Sequence, residues 1–434
     1  APVAFQADAT FVWPRALHRE LTQRFGPERF DEVDQFAADK PGWHARLAAA
    51  LCRRIQRRVE LARWLLAQRR WDLFAIYFGE SDTAAHHLWS LHDPGSPRRP
   101  PYVSEEDARG LLRVYRALDH AVGEIVRAAG DERVEVTIVS DHGSGGASDT
   151  VLYLNRALAD AGLLAFREEA VASSLVRGAK DLALTRLSPK WRERAFRSFG
   201  AVLPGWLESR ARFAAIDMPR TLAFSDELNY FPAIHWNLRG REPQGALARE
   251  DVPRVREKLT RALLELRDPF TGERVVEKVH AREELFHGAW VERAPDLLLE
   301  LALDRGYSYN LMPSAGAPRG TGAFRRLARE EFLGRKGRSL PGSHRPRGLY
   351  VAAGPRVAGV GEIDLGMEDV AGKVVERVTA TATATWRVAR GAVTATSTST
   401  STSTSTSTST STNGSAAGKQ GIVEARLRRL GYIE

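Results

Sequence analysis

The chain has 434 residues, 43% of them hydrophobic and 27% charged, enough for one large α/β domain or two to three smaller ones around a substantial core. Lys and Arg number 63 against 54 Asp and Glu, and the formal charge of +9 is spread without a block long enough for a nucleic-acid tail, so no nucleic-acid partner is expected. The single cysteine, Cys52, excludes an internal disulfide framework and a cysteine-rich zinc knuckle, which leaves any metal to His and carboxylates.

In chain order, a short helical pattern covers Arg15–Phe25. From Trp43 to Arg70, Leu47, Leu51, Ile55, Val59, Ala62 and Leu66 recur at helical spacing and predict a long amphipathic helix. The apolar run WDLFAIYF (71–78), ended by GESD, reads as a buried strand followed by a loop. A polar, Pro-rich stretch leads through SEED, a plausible cap, into a second long helix over Glu105–Ala129. Then VEVTIVS (134–140) reads as a strand closed by DHGSGG, and Leu152–Ala161 as a helix ending near Gly162. Helices alternating with nearly continuous apolar strands predict an α/β fold with a mostly parallel sheet flanked by helices, in which ligands gather beyond the strands' carboxyl ends.

Residues 166–290 lose that rhythm and are expected to be an inserted cap region, with a helix over Val252–Leu266. The core is expected to occupy 1–165 and to resume over 291–375, with strands at 294–302 and 347–354. Residues 376–420 are a low-complexity Thr/Ala/Ser segment, strictly alternating over Thr396–Thr412, and are expected to be disordered; 421–434 reads as a short amphipathic helix. No apolar run reaches the roughly 18 residues needed to span a bilayer, and no leader is recognised; the compartment stays open, with the cytoplasm slightly favoured.

Three segments carry chemistry. In ESDTAAHHLW, Asp82 and His86 are separated by three residues and share a face if the segment turns helically. SDHGSGG places Asp141 and His142 at a strand end, where Gly143, Gly145 and Gly146 permit a turn and the close approach of a ligand. GSHRPRG places His344 in a loop before another strand. Imidazole nitrogen and carboxylate oxygen suit a divalent ion such as zinc. Each segment alone has a plainer reading as a helix cap or a solvated helix face, and all three at sheet edges strengthen the metal reading. His87 points elsewhere on the same helix and reads as packing or solvent-exposed, with substrate contact the alternative.

DLFAIYFGESDTAAHHLW, VTIVSDHGSGG, NLRGREPQG, LRDPFTGERVV, ERAPDLLLELA and GSHRPRGLYVAAGP, in this order over about residues 70–375, together resemble the alkaline phosphatase superfamily, and within it the type I phosphodiesterase/nucleotide pyrophosphatase family. The resemblance implies an alkaline phosphatase-like sheet and two divalent metal ions, zinc by the family's habit with Mn or Mg the alternatives. It assigns Asp82, His86 and His344 to one ion, and Asp141 and His142 to the other. It implies hydrolysis of a phosphate monoester or phosphodiester by a Thr or Ser nucleophile, with an anionic phosphate-containing substrate as the partner. Arg239, Arg241 and Arg345 are candidate contacts to that anion, with structural ion pairs as the alternative. Neither the family's N-terminal aspartate nor its nucleophile has a counterpart in residues 1–70; Thr10, Ser81 and Thr83 fit poorly. The domain is therefore expected to be incomplete at its N-terminus, and an inactive remnant that binds metal or a partner is the alternative to an enzyme. Which ester is cleaved, and the oligomeric state, stay open.

Overall fold

The computed structural model describes residues 12–26, 38, 40–68, 70–130, 134–167, 213–318, 320–334, 339–355, 357 and 361–381. The helical segments fold close to where their periodicity puts them. α1 covers Arg15–Phe25 and α2 Trp43–Gln68, the latter burying Leu47, Leu51, Ile55, Val59 and Ala62. Where a loop is expected after residue 78 the chain forms α3, from Glu80 to His92, and α4 runs from Glu105 to Ala129. The predicted cap of α4 forms: the Ser104 hydroxyl accepts the Asp107 N–H at 3.1 Å, and the helix ends at Gly130 in the left-handed region. α2, α3 and α4 close around a shared core that includes Trp43, Leu47, Leu51, Leu88 and Val114.

Beyond α4 the chain is dominated by short strands. β1 (Val136–Val139) and β2 (Gly143–Leu152) precede α5 (Leu154–Asp160). β3 (Ala223–Phe224), β4 (Ala233–Trp236), α6 (Val252–Leu264), β5 (Val276–Ala281) and β6 (Leu297–Leu301) follow. Next come β7 (Leu303–Asp304), β8 (Tyr307–Leu311), β9 (Phe324–Arg326), β10 (Gly342–Arg345) and β11 (Tyr350–Ala353). Leu154, Leu158, Ile234, Trp236, Leu259 and Leu297 lie in a second core.

The expected mostly parallel sheet is not found. β1 pairs only with β11, antiparallel; β3, β4, β6 and β5 form a four-stranded antiparallel sheet; and the third sheet runs β10-β2-β8-β7 with β9 also on β2. In that third sheet β2 and β8 are parallel, while β10 and β9 meet β2, and β7 meets β8, antiparallel. Two physical facts explain the error. A continuous apolar run reports a preference for burial, not the direction of its hydrogen-bonded neighbour. And the run expected as the first strand, 71–78, joins no sheet among the described residues, with Leu73 55% and Tyr77 76% exposed.

Two strands from the expected cap region, β4 and β5, pair with β6 from the expected resumption of the core. The described residues up to Val357 form one compact unit; those from Gly361 on belong to a second and contain α7, Met367–Thr381. α7 includes the first residues of the segment expected to be disordered, and that expectation for 382–420, like the helix at 421–434, lies outside the described residues. Among the described residues no helix is long and apolar enough to cross a membrane.

Candidate metal centre

Asp82 and His86 sit one turn apart on α3, whose position is set by the apolar face it turns to α2 and α4. His142 lies immediately before β2, and His344 lies on β10 opposite Ser144 of β2. β10 approaches α3 so closely that a Cβ on Gly342 would fall 2.0 Å from the Ala85 carbonyl oxygen and 2.8 Å from His86 Cα, so only glycine fits there. Gly143, Gly145 and Gly146 are crowded for a similar reason: the Arg347 carbonyl, the Arg345 guanidinium and the Tyr307 ring occupy the space their side chains would take. The clearance those glycines provide is filled by the protein itself.

Asp82 Oδ1 is the centre of the group. It lies 3.2 Å from His86 Nε2, 3.7 Å from His344 Nε2 and 3.9 Å from His142 Nε2. Asp82, His142 and His344 each offer a ligand atom within 4.8 Å of the others, an arrangement that could hold one metal ion. His86 Nε2 is 3.1 Å from His344 Nε2, and the His142 and His344 rings stack with centroids 3.7 Å apart. The structure thus places Asp82, His86, His142 and His344 in one group. Asp141, 3.7 Å from His142 Nε2, keeps its side chain 83% exposed.

The ring protons can be placed from their acceptors. His86 Nδ1 lies 3.0 Å from the Gly342 carbonyl and His142 Nδ1 2.9 Å from that of Gly143. A carbonyl only accepts, so in both rings Nδ1 carries the proton and Nε2 is left to face Asp82. Nitrogen lone pairs converging on a carboxylate repel unless a cation lies among them. The buried Asp82 Oδ1, moreover, has no contact in hydrogen-bond geometry. Two imidazoles and one carboxylate, Asp82, His142 and His344, with His86 beside them, make a donor set that suits a divalent metal ion.

Electrostatics in the metal-free protein follow. Burial works to raise the Asp82 carboxyl, but the His344 and His86 imidazoles outweigh it and hold it well below the ordinary carboxylate range. Burial likewise opposes the His86 cation, yet Asp82 and the Gly342 carbonyl win and push the imidazole above its ordinary value. Protonation of His86 therefore competes with metal binding at that nitrogen. Metal affinity is expected to rise with pH, by up to about tenfold per unit below the raised His86 value. The metal-free fold should change in the opposite sense. The stability His86 contributes is complete below its unfolded value of about 6.5 and is lost as pH rises through the folded one. Calorimetric zinc titrations between about pH 6 and 8, beside urea melts of the metal-free chain, check both slopes. A flat affinity profile would remove His86 from the ligand set.

Other residues singled out in the sequence lie elsewhere. His87 is 2% exposed and meets Trp43 edge-on, a packing role. Arg241 is held by Asp296 in a two-pronged pair at 2.7 and 2.8 Å and by the Trp236 carbonyl. Arg345 spends its donors on Ser308 and on the carbonyls of Gly146, Gly306 and His344. Arg239 is exposed. Thr83 donates its hydroxyl to the Gly79 carbonyl at 3.1 Å, and Thr10 lies outside the described residues.

Two residues that sequence reading passed over support this region. Arg98 is wholly buried, and its guanidinium reaches the carbonyls of Glu331, Phe332, Ser339 and Leu340, on the segment that leads into β10. Tyr230 lies against His344 and His86. The dense aromatic stretch LNYFPAIHW marked the second as unusual; nothing in the polar SPRRP loop marked the first.

A family model described as Type I phosphodiesterase / nucleotide pyrophosphatase matches residues 5–324. That span contains Asp82, His86, Asp141 and His142, and His344 joins them through the fold from beyond its end. No curated protein and no solved structure gives a significant match.

Proposed function

The chain belongs to the type I phosphodiesterase/nucleotide pyrophosphatase family, and from that membership we propose that its metal-holding cluster serves the hydrolysis of phosphate esters. The observation that carries the reading is the convergence of Asp82, His142 and His344 from three separate parts of the chain onto one point. Asp82, His86, His142 and His344 would hold a divalent ion, zinc first and Mn or Mg as alternatives. A second ion at the exposed Asp141 would take His142 from the first, because the one free Nε2 lone pair of that ring serves a single ion.

Bound there, the ions would supply Lewis-acid charge to the phosphoryl oxygens. The chain's own residues do the rest. Gly342 and Gly143 keep the ring protons of His86 and His142 on Nδ1, so that Nε2 faces the cluster. Asp82, held ionised, contributes the negative charge that draws a cation in. Anion contact by Arg239, Arg241 or Arg345 is part of the proposal, and Arg239 is the exposed one of the three.

A nucleophilic Ser or Thr would come from outside the described residues. One observation favours a second reading, metal binding without turnover: the Thr83 hydroxyl beside Asp82 is already committed to Gly79. Turnover of bis(4-nitrophenyl) phosphate and 4-nitrophenyl phosphate with added Zn, Mn or Mg separates the two. Metal-dependent hydrolysis that Asp82→Ala loses supports the first reading. Metal binding with turnover no better than that of Asp82→Ala selects the second. A chain that neither binds metal nor hydrolyses either ester overturns both.

A further inference from the structure

The loop between β3 and β4 contributes no ligand atom to the cluster, yet it ends against it. Tyr230 stacks on His344 with centroids 4.2 Å apart and planes 18° from parallel, so that Tyr230, His344 and His142 form one pile of rings. Its hydroxyl oxygen lies 3.2 Å from His86 Nδ1, beside the Gly342 carbonyl that accepts the same ring proton. One side chain from a distant loop therefore meets both of the imidazoles that face Asp82 most closely.

That loop is itself held from beneath. Glu227, 3% exposed, adopts a left-handed φ of 51° that a non-glycine residue keeps only where its surroundings impose it. Its carboxylate accepts from the Asn155 N–H at 2.9 Å and from both the N–H and the hydroxyl of Ser314 at 2.6 Å. The Asn155 side chain brackets Ser225, donating to its carbonyl and accepting from its N–H. Asn229, next to Tyr230, accepts the Leu311 N–H at 2.8 Å. Fixed at both flanks, the loop presents the tyrosine ring in a set place.

We infer that Tyr230 is a positioning residue of the metal centre: its ring sets the plane of His344, and its hydroxyl helps hold the Nδ1–H of His86 so that Nε2 points at Asp82. The inference rests on the metal-binding reading above. Partners behind a metal ligand typically govern 10–100-fold in affinity because they fix the tautomer and orientation the ion needs. A tyrosine that only filled space would affect thermal stability and leave the ion's surroundings unchanged.

Cobalt(II) is the probe, because its visible absorption reports ligand geometry as well as occupancy. The full chain, Tyr230→Phe, Tyr230→Leu and Asp82→Ala are titrated in competition with a chelator, and their spectra recorded at saturation. Tyr230→Phe, which keeps the stack and loses the hydroxyl, is expected to weaken binding by about tenfold. Tyr230→Leu, which loses both, should approach about 100-fold and shift the absorption band. If the parent binds cobalt(II) and both variants match it in affinity and spectrum, the inference is overturned while the metal site stands. If the parent binds none, the metal-site reading falls, and this inference with it. Should Tyr230→Leu fail to fold, the Tyr230→Phe affinity decides alone.

Discussion

Asp82→Ala is expected to lower zinc affinity by more than about 100-fold, beyond the range seen when only the partners behind a ligand are changed. Asp82 supplies the carboxylate at the centre of the cluster, and Oδ1 is within 3.9 Å of all three imidazole nitrogens. Without it the remaining donors are neutral rings, and the weaker proton competition at His86 offsets only part of the loss of the anionic ligand. The side chain is 42% exposed, so the fold should tolerate the change. Chelator competition with zinc measures the loss, and circular dichroism confirms that the chain is folded. Affinity within threefold of the parent would exclude Asp82 as a ligand.

The second large effect falls on stability. Arg98→Ala is expected to cost about 3–5 kcal/mol, because it leaves several buried carbonyls without a donor and opens a cavity. Burial pulls the guanidinium down to about 9, against the opposing influence of Asp149, Glu331 and Tyr230, so it is still charged at neutral pH. Its donors reach Phe332 at 2.8 Å on one side and Ser339 and Leu340 on the other, spanning the approach to His344. Arg98→Lys should recover less than half of the loss, since one ammonium has three donors and cannot reproduce the planar fork. Urea denaturation of the two variants beside the parent provides the test. Parental stability in Arg98→Ala would mean that water or neighbouring groups satisfy those carbonyls.

The difference between what could and could not be read from the sequence has a physical basis. The helices were legible because their stability is local: apolar spacing in α2 and the Ser104 cap and terminal Gly130 of α4 are short-range features. Strand positions at 136–139, 297–301 and 350–353 were legible from composition. Their partners were not, since an apolar residue packs equally well whether its neighbour runs parallel or antiparallel. The same limit applies at the site. Asp82, His86, His142 and His344 lie in segments with recognisable spacing, but nothing in that spacing says that His142 joins the other three. Arg98 and Tyr230 were harder still. A charge in a Pro-rich loop reads as solvated, and Arg98 is buried only because carbonyls more than 230 residues away need its donors. Tyr230 meets His86 across 144 residues of chain.

The close crossing at Gly342 bears on how this centre can change over evolutionary time. The acceptor behind His86 is a main-chain carbonyl, and no side-chain replacement can delete a carbonyl. That contact with the imidazole is thus inherited from the path of the backbone and does not depend on which side chain stands at the acceptor's position. The vulnerability is one of spacing: any side chain at position 342 acts as a wedge against Ala85 and His86 and moves the acceptor and the ring together. The glycine itself therefore offers no intermediate step to a larger residue.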